Sequence, residues 1–288
     1  MSFGYLGPRG TFTESALRLV PAASGLPSVP YPTVTAALAA VRSGDITGAV
    51  VPLENSVSGT VPATLGELVS HAGRLAIDAE VEVPVVFALM AKPGTALGDI
   101  KRVLSHPHAL HQCRRWIARH IPQAEVVVSS STAAAAQHVA ESGAVWDAAA
   151  AAPEAARRYG LKVLAAGIGE RNDAATRFVS VRRAGPPPGL TGRDRSTLVV
   201  TADDAGPGTL ASVLSELAER NVNLAWIQAW PLGSPRGRYS FVLEVDRHIE
   251  EAQLSEAVAV LRRRATVVSL GSYPRIVRAF NSTKEVAA

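Results

Sequence analysis

Asn172-Asp173-Ala174-Ala175-Thr176-Arg177-Phe178 runs straight into Phe178-Val179-Ser180-Val181, a polar turn giving way to an apolar run. The pattern is that of a loop entering a strand, with Thr176 and Arg177 at the strand's mouth. Thr176 can donate a hydrogen bond or a proton, and the planar fork of Arg177 matches a carboxylate. The same strand marks a change of organisation. On its N-terminal side strand alternates with helix; on its C-terminal side the order is different.

Toward the N-terminus, strand-like runs at 3–6, 28–31 and 48–53 alternate with helical patterns at 13–20, 33–42 and 60–71. Thr33 or Thr35 can cap the second of these helices. A second series places strands at 102–105, 124–129, 148–152 and 161–168 around helices at 107–120, 132–141 and 153–159. Alternation of this kind predicts a mostly parallel sheet covered on both faces. The alanine run at 148–152 is a weak strand by propensity. Between the series, 75–92 is β-rich yet carries Pro84, which a central strand does not accept, so a crossing between two lobes is expected there. The whole reads as two α/β lobes joined by two crossings, similar to type II periplasmic binding proteins.

Beyond the opening stretch, Gly185-Pro186-Pro187-Pro188-Gly189 has a polyproline bias and no packing periodicity, as a linker does. Strand, helix, strand, strand, helix and strand come next, the βαββαβ order of a ferredoxin-like unit. Leu210, Val213, Leu214 and Leu217 line one helix face, and Leu254, Ala257, Val258 and Leu261 the other. The expected division is 1–181 for the two lobes, 182–195 for the linker, 196–277 for the smaller unit and 278–288 for a frayed tail.

With 288 residues the chain can bury more than one core, and its formal net charge of +4 is spread rather than striped. Nucleic-acid binding is therefore disfavoured relative to a small anionic substrate. The single cysteine, Cys113, excludes an internal disulfide framework, and no apolar run reaches membrane-spanning length. The chain opens directly into strand-like Phe3-Gly4-Tyr5-Leu6, without a signal core. A cytoplasmic protein with no membrane partner is expected.

Four strand-to-helix junctions in the lobes carry glycine or small hydroxyls: Gly7-Pro8-Arg9-Gly10-Thr11, Asn55-Ser56-Val57-Ser58-Gly59-Thr60, Ser105-His106-Pro107 and Ser129-Ser130-Ser131-Thr132. Any one of them is explained as a helix cap. Together with Thr176-Arg177, at the carboxyl ends of strands, they suggest a cleft for a small polyanion. Glu54 reads either as an acid or base beside Asn55 or as a cap or ion-pair partner. His106, His108, His111 and Cys113 do not share one helix face, so no metal is expected. No Walker ending and no Gly-x-Gly-x-x-Gly comes after a strand, so no nucleotide cofactor is indicated.

Gly7-Pro8-Arg9-Gly10-Thr11-Phe12-Thr13, Val51-Pro52-Leu53-Glu54-Asn55-Ser56, Ser105-His106-Pro107 with Gln112-Cys113, Ser131-Thr132-Ala133-Ala134-Ala135-Ala136 and Thr176-Arg177-Phe178 stand in one order along the chain. Together they resemble the bacterial prephenate dehydratases. The resemblance implies a two-lobed catalytic domain followed by an ACT domain, and loss of CO2 and water from prephenate to give phenylpyruvate, without metal or organic cofactor. It implies a catalytic Thr176 with Arg177 and Phe178, Arg177 anchoring a carboxylate or fixing the loop. Thr11, Phe12, Asn55, Ser56, Ser105 and Thr132 would contact substrate or shape the loops. In the ACT domain the family's Pro-Gly-Ala-Leu is replaced around Gly208, Thr209 and Leu210, and its Glu-Ser-Arg-Pro by Gln228-Ala229-Trp230-Pro231. Those segments form the family's phenylalanine pocket at an ACT–ACT interface. Trp230 is expected either to fill that pocket or to change its ligand, and a homodimer or homotetramer to form through ACT edges. A prephenate decarboxylase, an arogenate dehydratase and a catalytically silent amino-acid sensor are the competing readings.

Overall fold

The chain lays down three sheets in turn. The computed structural model describes residues 1–141, 143, 145–202, 206–232 and 239–275; the tail expected at 278–288 and the last residues of the unit expected at 196–277 lie outside them.

The first lobe begins with β1 (Phe3–Leu6), α1 (Phe12–Leu17), β2 (Ser28–Tyr31), α2 (Val34–Ser43), β3 (Gly48–Asn55), β4 (Gly59–Thr60), α3 (Pro62–Ser70) and β5 (Leu75–Pro84). Local chemistry sets α2: Thr33 accepts a hydrogen bond from the Ala36 amide at 3.0 Å, and Gly44 ends the helix at φ 87°. Val34, Ala37, Leu38 and Val41, spaced as one face, are buried. The chain then crosses just after Pro84, as the proline predicts.

The second lobe holds β6 (Ala88–Ala91), β7 (Arg102–Ser105), α4 (Pro107–His120), β8 (Glu125–Val128), α5 (Thr132–Ala140), β9 (Ala148–Ala151), α6 (Pro153–Tyr159) and β10 (Lys162–Ala166). The four alanines of β9 have no solvent exposure and sit between β6 and β7. Small side chains there let Ala135 and Ala136 of α5 pack close, so packing outweighs propensity. The chain returns to the first lobe as β11 (Ala175–Arg183).

The sheets are mixed, not the mostly parallel ones predicted. Their orders are β2-β1-β3-β11-β5 and β10-β6-β9-β7-β8. In the first, β11 is antiparallel to β3 and β5; in the second, β6 is antiparallel to β9 and β10. The reason lies in the crossings. A strand arriving from the other lobe starts at the cleft and must run away from it, against strands whose carboxyl ends point there. Thr176, at the start of β11, is thereby paired with Asn55, at the end of β3.

The third unit comprises β12 (Asp194–Ala202), α7 (Thr209–Glu219), β13 (Leu224–Pro231), β14 (Tyr239–Val245), α8 (Ala252–Leu261) and β15 (Ala265–Pro274), with sheet order β13-β14-β12-β15. Helices α7 and α8 cover one face through Val213, Leu217, Leu254 and Leu261. The other face packs on the first lobe, where Val199, Val242, Leu270 and Tyr273 join the core of Leu75 and Ile77. Gly271, at φ 128°, brings β15 so near β5 that a β-carbon would collide with the Ile77 carbonyl. Among the described residues no helix is long and apolar enough to cross a membrane.

Candidate active site

The cross-strand pair Thr176–Asn55 is the starting point. Asn55 Nδ2 donates to Thr176 Oγ1 at 2.8 Å. The amide cannot be turned the other way without loss, because Asn55 Oδ1 accepts from the Val57 and Ser58 amides at 3.0 and 3.1 Å. With one lone pair of Thr176 Oγ1 taken by a donor, its own hydrogen is left for a third group. Ser56 holds the same corner from behind: its amide donates to the Ala175 carbonyl at 2.9 Å, and its Oγ accepts from the Ala175 amide at 3.0 Å.

Thr176 opens into a cavity of about 260 Å³ between the lobes. From the first lobe it is lined by Thr11, Phe12, Asn55 and Phe178, and from the second by Thr132, with Phe87 on the crossing. Thr11 caps α1, accepting from the Glu14 amide at 3.2 Å and donating to the Leu6 carbonyl at 3.2 Å. Phe12 meets Phe87 edge-on, ring centres 5.8 Å apart, so the two lobes share an aromatic wall. The lobes also touch where Tyr159 Oη donates to the Arg9 carbonyl at 2.6 Å. Ser131 caps α5 through the Ala134 amide at 2.9 Å, leaving Thr132 on the first turn at the cavity.

His106, His108 and Gln112 also line the cavity; the sequence placed His106 in a junction and Gln112 in a motif but assigned none of the three a role in the site. His106 caps α4, accepting from the His108 amide at 3.4 Å and stacking on the His108 ring at 5.2 Å. Burial, with His108 adding to it, lowers its pKa below the usual histidine range, so it stays neutral at pH 7. The signal available was His106-Pro107 itself, a cap and a first-turn proline directly after a strand. No group of three or more potential metal ligands occurs among the described residues.

The carboxylate-anchoring role of Arg177 is corrected by the strand's own geometry. Successive side chains of a strand point to opposite faces, so Thr176 and Phe178 reach the cavity and Arg177 does not. Its Nη1 donates to Glu244 Oε2 and Oε1 at 2.7 and 2.9 Å and to Glu80 at 3.1 Å, and its Nη2 to Glu54 at 3.3 Å. Burial opposes the charge of Arg177, but Glu244, Tyr273 and Glu80 outweigh it and raise its pKa. Glu54 is thus an ion-pair partner and does not line the cavity. Ser105 is corrected too. It has no exposure, and its Oγ donates to the Ala150 carbonyl at 2.5 Å, tying β7 to β9 outside the cavity. Ser56 shapes the corner without lining the cavity.

The motif set assigned to an effector divides in the same way. Paired with Glu244, Val242 and Ser240, the side chains of Trp226, Gln228 and Trp230 face the first lobe. Gln228 Oε1 accepts from Thr60 Oγ1 at 3.3 Å, and the Trp230 ring lies where a β-carbon on Gly66 would be 2.9 Å away. The Trp230 ring therefore packs into the seam with α3 and the first-lobe core. Ala229 and Pro231 turn to the opposite, helix-bearing side of edge strand β13. Gly208, at φ 85°, precedes α7, and Thr209 and Leu210 are half-buried in its first turn.

The prephenate dehydratase family model matches residues 3–186 of this chain. The chain belongs to the prephenate dehydratase family. It is 45% identical over 284 residues to the prephenate dehydratase of Mycolicibacterium vanbaalenii, covering 94% of this chain and 90% of that one. The structure of prephenate dehydratase from Arthrobacter aurescens in complex with L-Phe superposes with a TM-score of 0.89 at 43% identity, over 96% of this chain and 90% of that one. A further structure, described as a novel type of quorum-quenching acylase, superposes with a TM-score of 0.85 at 29% identity, over 96% and 98%. The fold is the family's: a two-lobed, periplasmic-binding-protein-like domain followed by an ACT-like domain. The enzyme is a lyase that eliminates water and carbon dioxide from prephenate, a step of aromatic amino-acid biosynthesis.

Proposed function

We propose that prephenate binds in the inter-lobe cavity with its departing 4-hydroxyl at Thr176. The observation that carries this reading is the donor from Asn55: it occupies a lone pair of Thr176 Oγ1 and turns the threonine hydrogen outward as a donor. A threonine is a poor acid in bulk water. Phe12, Phe87 and Phe178 give the cavity apolar walls, and once bound substrate displaces water from between them a hydrogen bond that strengthens as hydroxide leaves is worth more. Aromatisation of the ring supplies the driving force, so positioning accounts for most of the task.

Among the described residues no lysine or arginine lines the cavity. The two carboxylates of prephenate are met instead by the starts of α4 and α5, whose free amides and dipoles favour anions, and by the Thr132 hydroxyl. Neutral His106 adds a ring that does not compete for the leaving hydroxide as a second charge would. An acylase chemistry has no matching support, because the polar partner of Thr176 donates to it and does not accept its proton.

The division proposed is a catalytic domain through the end of β11 at Arg183, a linker at 184–193 and a regulatory ACT domain from the start of β12 at Asp194, the expected linker of 182–195 being shortened at both ends by strand pairing. That an amino-acid effector acts on the ACT domain is supported by the L-Phe in the Arthrobacter aurescens structure. Here the site lies on the helix-bearing side of β13, beside Ala229 and the turn at Gly208 to Leu210, with Gln228 and Trp230 withdrawn into the seam. Edge strand β13, which among the described residues pairs with β14 alone, is the surface assigned to a homodimer or homotetramer. A buried, unreactive Cys113 suits the cytoplasm. Thr176→Ala tests the catalytic reading: phenylpyruvate formation at neutral pH, where prephenate is not lost to acid, falls by about 100- to 10,000-fold. Near-wild-type turnover would remove Thr176 from the chemistry. Titration of the initial rate with phenylalanine, tyrosine and tryptophan identifies the effector, and a rate unmoved by all three would overturn the regulatory reading.

A further inference from the structure

Thr176 and Arg177 are consecutive on β11, Asn55 and Glu54 consecutive on β3, and the register sets Thr176 opposite Asn55 and Arg177 opposite Glu54. Each strand gives one residue to the cleft and its neighbour to the far face. In the cleft, Asn55 holds the Thr176 hydroxyl at 2.8 Å. On the far face, Arg177 holds Glu54 of its own lobe and Glu244 of the ACT sheet. Glu244 is 1% exposed, so little water competes for it. Arg195 of β12 approaches Glu244 at 3.8 Å and Glu80 at 3.0 Å, closing the cluster across both domains.

The ladder between β11 and β3 slips immediately after this step, the register shifting between Arg177 and Phe178. The unpaired residue is Leu53 of β3, so the ladder is disrupted on the β3 side alone while the pairing of Ala175 to Val179 with β5 runs unbroken, and the Arg177 ion pairs add a tie to Glu54 of β3 across the slip. We propose that Glu244, acting through Arg177, is a positioning residue for the Thr176 hydroxyl. The ion pair pins the start of β11 against β3, and the placement of the ACT sheet is thereby registered at the catalytic oxygen. A displacement of β14 moves Arg177, and Arg177 is one peptide bond from Thr176. The inference rests on the catalytic reading of Thr176 and gives that residue a regulatory input.

The experiment is a double-mutant cycle on the full chain with prephenate as substrate. Glu244→Gln keeps the shape and removes the charge, while Arg177 retains Glu54 and Glu80. Its expected effect is a fall in kcat of about tenfold with KM within about twofold. In the Thr176→Ala background the same substitution changes kcat by less than about twofold, since the group being positioned is gone. Glu244→Asp, which keeps the charge one methylene further back, gives a smaller loss that Thr176→Ala likewise abolishes; it decides the question if Glu244→Gln does not fold. Unchanged kcat in a folded Glu244 variant overturns the proposal, as does an equal loss in both backgrounds. A Thr176→Ala enzyme that alone turns over normally refutes the catalytic reading instead, so the two failures are distinguishable.

Discussion

Replacing Trp230 by alanine is a direct test of the seam between the ACT sheet and the catalytic domain. The Trp230 ring packs against α3 at Gly66, where a β-carbon would come within 2.9 Å of it. Truncating a fully buried aromatic costs about 3–5 kcal/mol, transfer and cavity together. Trp230 is half-buried, so about 2 kcal/mol is expected, a shift in Tm of roughly 4–8 °C at this chain size. The assay is thermal unfolding followed by far-ultraviolet circular dichroism, run beside phenylalanine titration of the rate. A lower Tm and an effector response of unchanged midpoint are expected, because Trp230 faces the lobe and not the effector side of β13. A Tm within about 1 °C of wild type, or an effector response abolished without loss of stability, would refute the seam assignment and return Trp230 to the effector pocket.

Asn55→Ala removes the donor that orients Thr176 together with the acceptor for the Val57 and Ser58 amides. Its kcat is expected to fall by about 10- to 100-fold, less than for loss of the hydroxyl itself, measured as phenylpyruvate formed at saturating prephenate. Cys113 is buried, and burial, with Glu170 adding to it, pushes its thiol up to about 12. Iodoacetamide at pH 8 should therefore leave the native enzyme unlabelled and label the unfolded chain, as read by mass spectrometry. The folded state keeps the thiol proton after the unfolded thiol, near 9.0, has lost it. This contribution to stability is therefore complete below pH 9 and declines as pH rises toward about 12, which unfolding measured across that range checks.

The lobes, the crossing at Pro84 and the βαββαβ order were legible because period, proline and length each act locally. The mixed strand direction was not, since it depends on which lobe a strand comes from, a long-range property. Arg177 is the instructive residue. Taken as part of a loop, Thr176-Arg177 looks like a joint catalytic pair; taken as a strand, the two must face opposite ways, and Phe178 becomes the companion of Thr176. The same alternation along Gln228-Ala229-Trp230-Pro231 sends Trp230 into the seam. Ser105 was misread for another reason. A serine at a strand end looks like a site residue, yet its hydroxyl is consumed by a carbonyl of the neighbouring strand, a partner 45 residues away. His106 and Gln112 were in view and lacked only the knowledge that α4 opens on the cleft.

The most direct measurement of the central claim is kcat for Thr176→Val on prephenate at neutral pH, followed by the absorbance of the aromatic keto acid. Valine keeps the branched shape at the mouth of β11 and removes only the hydroxyl. A loss of about 100- to 10,000-fold in kcat is expected, with KM little changed. A valine enzyme that turns over at the wild-type rate would contradict a catalytic hydroxyl at this position.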